Sequence, residues 1–272
     1  MEGGNHQRSC GQHSSERLLS HYLDYYFSAE HVERQEYMET TTTHENDEIT
    51  YWEKVAKSRW GSYTSEIEKD AILRSHYLTT RPTTALEIGC EGGRWSKLLS
   101  DFGWRLICTD VNQQTLNICK KRIPTAKCIL VSPDDSKIPC NTESRGLVLC
   151  IEVSPAITAD WFIDEVFRVL QKGGLVVGTF WNQLSYRGLL QHFIASSRGS
   201  YDWYSLSYSA WKRRFRTRGF TFIHEEGFYW FPFQRASNSP LVPVTTRIER
   251  FLGLRKLVCL SPWVVFVAQK DG

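Results

Sequence analysis

The sequence has no long apolar run and no marked excess of either charge. None of its hydrophobic segments reaches the roughly 18 residues that a membrane-spanning helix needs. The polar start, MEGGNHQRSC, lacks the apolar centre of a signal peptide. Lysine and arginine number 33 against 30 acidic residues, so the net charge of +3 gives no global reason to expect a polyanionic partner. We therefore expect a cytoplasmic protein that does not associate with membranes.

The eight cysteines form no CxxC pair and no cluster with histidine along the chain. They stand singly at Cys10, Cys90, Cys108, Cys119, Cys128, Cys140, Cys150 and Cys259. Without ligand spacing, no structural zinc site and no other metal site is expected. Cysteines within apolar runs behave as small hydrophobes, and isolated thiols fit a reducing compartment.

Composition divides the chain near residue 45. Residues 1–45 are polar, with one stretch of helical apolar spacing that includes Leu19, Tyr22 and Tyr26. We interpret them as an N-terminal extension with a short helix, which could dock on a second subunit to form a homodimer. Residues 46–272 form the expected main domain, long enough for one sizeable core.

Apolar segments alternate with helical ones after Pro82. Residues 51–78 predict one or two helices before this point. Strands are then expected at 84–89, 104–110, 127–131, 146–153 and 174–181, and helices at 94–102, 112–123 and 159–170, the last closed by Gly173-Gly174. Strands that are apolar on both faces indicate a parallel sheet covered by helices on each side.

The rhythm changes beyond residue 182. Helices are expected near 185–195 and 205–218, followed by strands at 220–231 and 262–270 without a helix-length return between every pair. This pattern favours an antiparallel end to the sheet. The predicted fold class is α/β: a Rossmann-like, doubly wound sheet of seven strands, mostly parallel with an antiparallel last strand, plus N-terminal helices.

Chemistry-bearing residues follow the predicted strands at the positions where such a fold binds its ligand. In a doubly wound sheet the ligand lies at the carboxyl ends of the strands. The first turn, ALEIGCEGGRWS, carries Gly89 and Gly93, where the missing Cβ lets backbone approach a ligand. Asp110 follows Gly89 by 21 positions, which suits a carboxylate that binds a ribose diol. An acidic pair, Asp134-Asp135, follows the third strand.

This order of motifs resembles class I S-adenosylmethionine-dependent methyltransferases. The segments ALEIGCEGGRWS, CTDVN, LVSPDDSKIP, GLVLCIEV and EVFRVLQKGGLVVGTF carry the likeness, which is strongest over residues 84–182. The late VTTRIERFLGL is similar to small-molecule members of the family. The resemblance implies S-adenosylmethionine as the cofactor and methyl transfer as the activity.

The resemblance also implies a role for each matching residue. Glu87 would orient the loop and the cofactor's amino group, and Gly89, Cys90, Glu91 and Gly93 would pass along its methionine and ribose portions. Asp110 would accept the ribose hydroxyls, Val111 would pack on adenine, and Asp134 with Asp135 would bond the adenine amino group. Cys150 and Ile151 would lie near the sulfonium, with Glu152 just beyond.

Two positions depart from the family pattern. Glu91 stands where the family's second glycine is expected, and Arg145-Gly146 replaces a frequent Phe-Asp pair. A nicotinamide dehydrogenase also uses a glycine turn and a ribose-binding acid, but it needs GxGxxG to place a pyrophosphate on backbone N–H groups. Glu91 would repel a pyrophosphate, whereas S-adenosylmethionine has none.

Methyl transfer needs alignment more than it needs a catalytic side chain. Ordered reactants reach effective molarities of roughly 10⁵–10⁸ M, and a general base is required only for a nucleophile whose proton has a high pKa. The candidates for such a base are His192 and Glu152, with His224 a weaker one inside a strand pattern. A surface histidine and a strand-end ion pair are the structural alternatives.

The aromatic residues suggest a substrate pocket for a small organic molecule. Tyr51, Trp60, Trp181 and Tyr186 are the candidate lining residues, with Tyr51 and Trp60 part of a lid that includes Trp52 and Tyr63. The alternative is an aromatic core under a loop.

Two further functions stay open at this stage. A basic run, Lys212, Arg213, Arg214, Arg216 and Arg218, could contact the phosphates of RNA or another nucleic acid, although a solvated helix face is favoured. A catalytically inactive scaffold with the same fold is supported only by Glu91 in the glycine turn, and the retained Asp110 and Asp134 argue against it.

Overall fold

The protein is built around one seven-stranded sheet. The computed structural model describes residues 49–79, 84–198 and 203–272, with side chains from 194 to 198 excepted. Its strands are β1 (Thr84–Ile88), β2 (Arg105–Asp110), β3 (Lys127–Leu130), β4 (Arg145–Cys150), β5 (Leu170–Trp181), β6 (Phe220–Phe228) and β7 (Trp263–Lys270). Their order is 3-2-1-4-5-7-6. The first five run parallel, and β7 is antiparallel to both β5 and β6. The expected fold class is confirmed.

Helices connect and flank these strands. They are α1 (Tyr51–Val55), α2 (Arg59–Leu78), α3 (Arg94–Asp101), α4 (Gln113–Arg122), α5 (Ser154–Ile157), α6 (Phe162–Val169), α7 (Tyr186–Arg198), α8 (Tyr208–Arg218) and α9 (Val242–Phe251), with a 3₁₀ turn at Leu254–Lys256. Asn112 caps α4 as expected, because its Oδ1 accepts from the backbone of Gln114 and Thr115. Among the described residues, no helix combines the length and apolar character needed to cross a membrane.

The sheet separates two cores. Residues of α2, α3 and α4, such as Trp60 and Leu99, pack on one face, where β4 contributes Leu147 and Leu149. Residues of α6 and α8 pack on the other face, where β4 contributes Val148 and Cys150. Alternate residues of a strand point to opposite faces, so a strand that is buried on both sides is apolar throughout. This is why the apolar runs marked the strands correctly.

The connection between α6 and β5 differs from the sequence expectation. Gly173-Gly174 was expected to close the helix, but α6 ends at Val169 and the glycines lie within β5. Leu170 is fully buried and pairs with Arg145 of β4, which draws the chain into the sheet directly after the helix. Gly173 has φ of 71°, a backbone conformation that glycine adopts with little strain.

Two other expectations have different outcomes. The predicted span 51–78 is two helices, because Ser58 caps a new helix with its side chain accepting from Gly61 N–H. The N-terminal extension at 1–45, with its short helix, lies outside the described residues, and so the expected domain boundary stays a prediction. The possible homodimer stays a prediction as well.

The antiparallel end of the sheet generates a stability prediction. Phe266 of β7 has no exposed surface and its ring lies 5.0 Å from that of Trp211. Phe266→Ala should lower the free energy of unfolding by about 3–5 kcal/mol, because it removes a large buried ring and leaves a cavity. Denaturant unfolding followed by tryptophan fluorescence measures this.

The matched control is Phe251→Ala, since Phe251 is 90% exposed at the end of α9. Its effect should stay within about 0.5 kcal/mol. Equal effects of the two substitutions would contradict this assignment of the core.

Candidate functional site

The loop between β1 and α3 can be built only with glycine at two positions. Gly89 and Gly93 have φ of 68° and 78°, a region that side chains disfavour. A Cβ on Gly89 would lie 2.5 Å from Val153 Cγ2, and one on Gly93 would lie 2.6 Å from Cys119 Sγ. Neither position has room for a larger residue. The loop therefore packs its backbone directly against the end of β4 and against α4.

Asp110, the last residue of β2, fixes this loop in place. Its Oδ2 accepts a hydrogen bond from the backbone N–H of Glu91 at 2.7 Å, and its Oδ1 accepts from Asn112 N–H at 2.9 Å. Burial raises the pKa of this carboxyl, while the backbone hydrogen bonds lower it. The sequence pair of glycine turn and strand-end acid is thus one connected unit in space.

Glu91 faces the N-terminal helix. Its Oε1 accepts from the backbone N–H of Trp52 at 3.3 Å, in the first turn of α1. Glu91 itself has φ of 49°, and burial raises the pKa of its carboxyl to about 7. The residue that departs from the family's glycine pattern therefore binds α1.

Two further contacts seat α1 on the glycine loop. Arg122 Nη1 donates to Glu53 Oε1 and to the carbonyl of Gly92, both at 2.7 Å. A Cβ on Gly92 would lie 2.6 Å from Thr50 Cγ2, and Thr50 is fully buried. α1, which carries Tyr51 and Trp52 of the expected lid, therefore lies on the loop, and its role as a lid stays a prediction.

Glu87 is enclosed in β1. It is 3% exposed, and its Oε2 accepts a hydrogen bond from Ser96 Oγ at 2.5 Å. Burial raises its pKa to about 8, so this side chain is mostly a neutral acid at neutral pH. Through Ser96 it links β1 to α3, and in this way it supports the loop.

The remaining predicted cofactor residues lie on exposed surface or at the end of β4. Val111 is 57% exposed, and Asp134 and Asp135 are exposed as well. Asp135 Oδ2 accepts from Ser132 N–H at 2.8 Å, which shapes the turn after β3. Ile151 is buried directly after β4.

A charged cluster lies at the end of β4. A strand-end ion pair was the structural alternative for Glu152, but Arg235 and Glu68 were not identified from the sequence. Glu152, with φ of 61°, forms an ion pair with Arg235. The Arg235 guanidinium lies 5.0 Å from each of the ring centroids of Trp52 and Trp263. Glu68 of α2 is fully buried nearby and interacts electrostatically with Arg235.

One sequence signal could have revealed Glu68. It lies at a spacing of four from Thr64 and Ile72, and both of these face the core. A helix with this spacing normally carries apolar side chains at every such position. The charged Glu68 within this buried stripe was therefore a sequence signal for a buried carboxylate. Arg235 lies in the connection between β6 and α9, where no periodic pattern exists to mark it.

The predicted substrate residues occupy different environments. Trp181 stacks on Trp263, with ring centroids 4.9 Å apart, and Tyr186 donates its hydroxyl hydrogen to the carbonyl of Trp230. Trp60 has no exposed surface, and Tyr51 is half-buried beside Trp52. The role of these residues in binding a substrate stays a prediction.

The two predicted catalytic residues lie in different environments. His192 lies exposed on α7, and Glu152 is engaged by Arg235. His224, the weaker candidate, lies on the edge strand β6, 3.7 Å from Glu226. Their catalytic roles also stay predictions.

Three cysteines that are isolated in sequence come together in space. The sulfur atoms of Cys90, Cys108 and Cys119 all lie within 4.8 Å of one another. Cys128 Sγ lies 3.8 Å from Cys119 Sγ. They come from the glycine loop, β2, α4 and β3, so linear spacing gave no sign of the cluster. These four cysteines are thus isolated along the chain but grouped in the fold, and Cys119 Sγ lies under Gly93.

Comparison with known proteins identifies the same segment that carries the sequence motifs. A family model described as a methyltransferase domain matches residues 86–178. An uncharacterized methyltransferase-like protein of Schizosaccharomyces pombe is 26% identical over 111 residues. That alignment covers 40% of this chain, and the chain spans only 42% of the relative's length.

Solved structures share the fold at low sequence identity. A Galdieria sulphuraria protein, provisionally described as a sarcosine dimethylglycine methyltransferase, has a TM-score of 0.55 at 13% identity and covers 76% of this chain and 84% of its own. A geranyl diphosphate methyltransferase gives 0.53 at 14%, with 76% and 78% covered. Haemonchus contortus phosphoethanolamine N-methyltransferase 2, solved with S-adenosyl-L-methionine, gives 0.52 at 16%, with 76% and 53% covered.

The family match, the relative and the seven-stranded topology agree with the resemblance that the motifs carry. Residues 86–178 match a methyltransferase domain, and the seven-stranded fold around them is shared with solved S-adenosylmethionine-dependent methyltransferases.

Proposed function

We propose that this protein transfers the methyl group of S-adenosylmethionine to a small organic acceptor by in-line displacement. The observation that carries the proposal is the joint placement of Asp110 and the glycine loop at the carboxyl edge of the sheet. A carboxylate has about four lone-pair positions. Backbone N–H groups of Glu91 and Asn112 use two of them, and the backbone of Val111 also contributes, so the remaining acceptor capacity suits a ribose hydroxyl.

Neighbouring residues suit the rest of the cofactor. Val111 offers an exposed apolar side chain next to Asp110, as an adenine ring requires. Asp134 offers an exposed acceptor beyond β3 for the adenine amino group. The close approach of backbone at Gly89 and Gly93 leaves no side chain in the path of the methionine portion.

The reaction asks little of the protein beyond alignment and exclusion of water. The bound cofactor supplies a methyl group on a cationic sulfur. Cys150 and Ile151, both buried at the end of β4, provide an apolar surface there. The guanidinium of Arg235 pairs with Glu152 and balances the negative charge of that carboxylate. Glu152 and His192 remain our candidates for a base where the acceptor carries a proton.

The acceptor is set by segments outside the conserved fold. The structural neighbours are named for acceptors as different as phosphoethanolamine and geranyl diphosphate. A fold constrains function only through its site. The half-buried aromatic side chains Trp181 and Tyr51, on β5 and α1, support a small acceptor with apolar surface.

A nucleic-acid acceptor is less well supported. Within the basic run of α8, Lys212 pairs with Glu225, Arg214 with Asp160 at 3.2 Å, and Arg218 with Asp164 at 2.5 Å. Acidic partners offset a large part of the positive charge that phosphates would need. We therefore interpret this run as the solvated face of a core helix.

The scaffold interpretation also loses its support. It depended on Glu91 as an obstruction in the glycine turn, but this side chain is used by α1 through Trp52 N–H. Asp110, at the end of β2, is held by backbone hydrogen bonds in an arrangement that suits a ribose, which a scaffold without cofactor would not need.

The first test is binding of S-adenosylhomocysteine to the wild-type protein and to Asp110→Asn, measured by isothermal titration calorimetry. The amide keeps the shape of the side chain but removes the charge that strengthens the ribose contacts. Hydrogen bonds to charged groups contribute about 1.5–3 kcal/mol, so we expect affinity to fall by roughly tenfold to a hundredfold.

The matched control is Asp70→Asn, an exposed position on α2 that should bind as the wild type does. Equal affinity of Asp110→Asn and the wild type would remove Asp110 from the site. Absence of binding by all three folded proteins would contradict the proposed function.

The raised pKa of Glu87, about 8 against an ordinary value of 4.5, predicts a pH effect on stability. Between these values the folded state holds a proton that the unfolded state releases. Its stabilising contribution is therefore complete below pH 4.5 and is lost as the pH rises through 8. Glu87→Gln cannot ionise, so the variant should gain at least about 1 kcal/mol relative to the wild type between pH 5 and pH 8.

Urea unfolding of both proteins at the two pH values measures the difference. Other groups titrate equally in the two proteins, so the difference isolates Glu87. A constant difference across this range would show that Glu87 has an ordinary pKa.

A further inference from the structure

Glu68 is a buried acid on α2. Its side chain has no exposed surface, and neither of its carboxyl oxygens has a hydrogen-bond partner among the residues that the structure describes. Polar groups that are enclosed in this way are almost always hydrogen-bonded, because leaving them unpaired costs stability. A position in the apolar stripe of α2 would be filled more favourably by an apolar residue. Within the described part of the chain, no group donates a hydrogen bond to this carboxyl.

Two arginines bracket this carboxyl. Arg94 Nη2 lies 3.8 Å from Glu68 Oε2, while Arg94 Nη1 donates to Ser65 Oγ at 2.8 Å. On the other side lies Arg235, which is paired with Glu152. Arg94 directly follows Gly93, and Glu152 follows β4. Glu68 thus lies between the glycine loop and the end of β4.

This place is where the reacting end of the cofactor and the acceptor would meet, so the following inference rests on the proposed function. We propose that Glu68 binds an ammonium group of a ligand at the carboxyl edge of the sheet. An ammonium has three N–H donors, which suits a carboxylate with no hydrogen-bond donor of its own. Arg94 and Arg235 already offset part of the charge of this carboxylate, so the contribution of the ammonium group is its hydrogen bonds.

Two ligands carry this chemistry. One is the cofactor, whose methionine portion ends in an α-ammonium group, and the other is an acceptor that is itself an amine. Glu87, to which the family resemblance assigns the cofactor amino group, accepts a hydrogen bond from Ser96 inside β1 and is mostly neutral. Burial raises the pKa of Glu68 as well, against the opposing effect of Arg235 and Arg94, but its oxygens have no hydrogen bonds to lose among the described residues.

The first arm of the test separates the cofactor's two ends. Calorimetry measures the affinity of the full-length protein for S-adenosylhomocysteine and for 5′-methylthioadenosine, which lacks the amino-acid portion. If the cofactor is the source, Glu68→Gln should lose roughly tenfold to a hundredfold in affinity for the first ligand and none for the second. Glu66→Gln, an exposed position on the same helix, should change neither affinity.

The second arm examines the acceptor. The protein saturated with S-adenosylhomocysteine is titrated with benzylamine and with the uncharged benzyl alcohol. If an amine acceptor is the source, Glu68→Gln should weaken benzylamine at least about tenfold and leave benzyl alcohol unchanged. A selective loss in either arm supports the proposal and names its source.

Unchanged affinities in both arms would overturn the role of Glu68 while leaving the proposed function intact. Failure of the wild type to bind either nucleoside would instead overturn the proposed function, and this inference with it. Thermal unfolding serves as the folding control. Glu68→Gln leaves Arg94 and Arg235 without this carboxylate, so its midpoint should fall, and affinities are compared at a temperature at which both proteins are folded. Should that variant not fold, Glu68→Met provides a second uncharged side chain of similar length.

Discussion

The hydrogen bond from the backbone of Glu91 to the carboxylate of Asp110 is the contact on which the site depends. It joins the loop after β1 to the end of β2. This loop contains three residues with positive φ, namely Gly89, Glu91 and Gly93. Such conformations are strained for side-chain-bearing residues and persist only when the surroundings determine them. Here the surroundings are Val153 on one side and the cysteines beneath Gly93 on the other.

Once the loop is fixed, the elements around it are placed in turn. Glu91 and Arg122 seat α1 above the loop, and this brings Trp52 to Arg235. Arg235 then neutralises Glu152 at the end of β4. The result is a carboxyl edge at which charged groups are enclosed by aromatic rings, a low-dielectric setting that strengthens electrostatic interactions. Glu68, Glu152 and Arg235 are charged groups that lie at this edge.

The sequence predicted the features that local pattern controls. Apolar runs marked the buried strands, and glycines followed by Asp110 marked the ligand edge, because both depend on residues close together in the chain. It did not reveal the contacts of Glu68, Arg235 and Glu152, which lie up to 167 positions apart. Nor did it reveal the cysteine cluster, since four different elements contribute to it. The helix stop expected at Gly173 was wrong because the pairing of Leu170 with β4 outweighed a local signal.

The most direct measurement of methyl transfer to a small molecule follows the methyl group itself. The purified protein is incubated with methyl-tritiated S-adenosylmethionine and, separately, with the small-molecule, RNA and protein fractions of a cell extract. The account predicts enzyme-dependent transfer of label into the small-molecule fraction alone, and its loss in Asp110→Asn. Label in the RNA or protein fraction, or transfer that Asp110→Asn leaves unchanged, would contradict it.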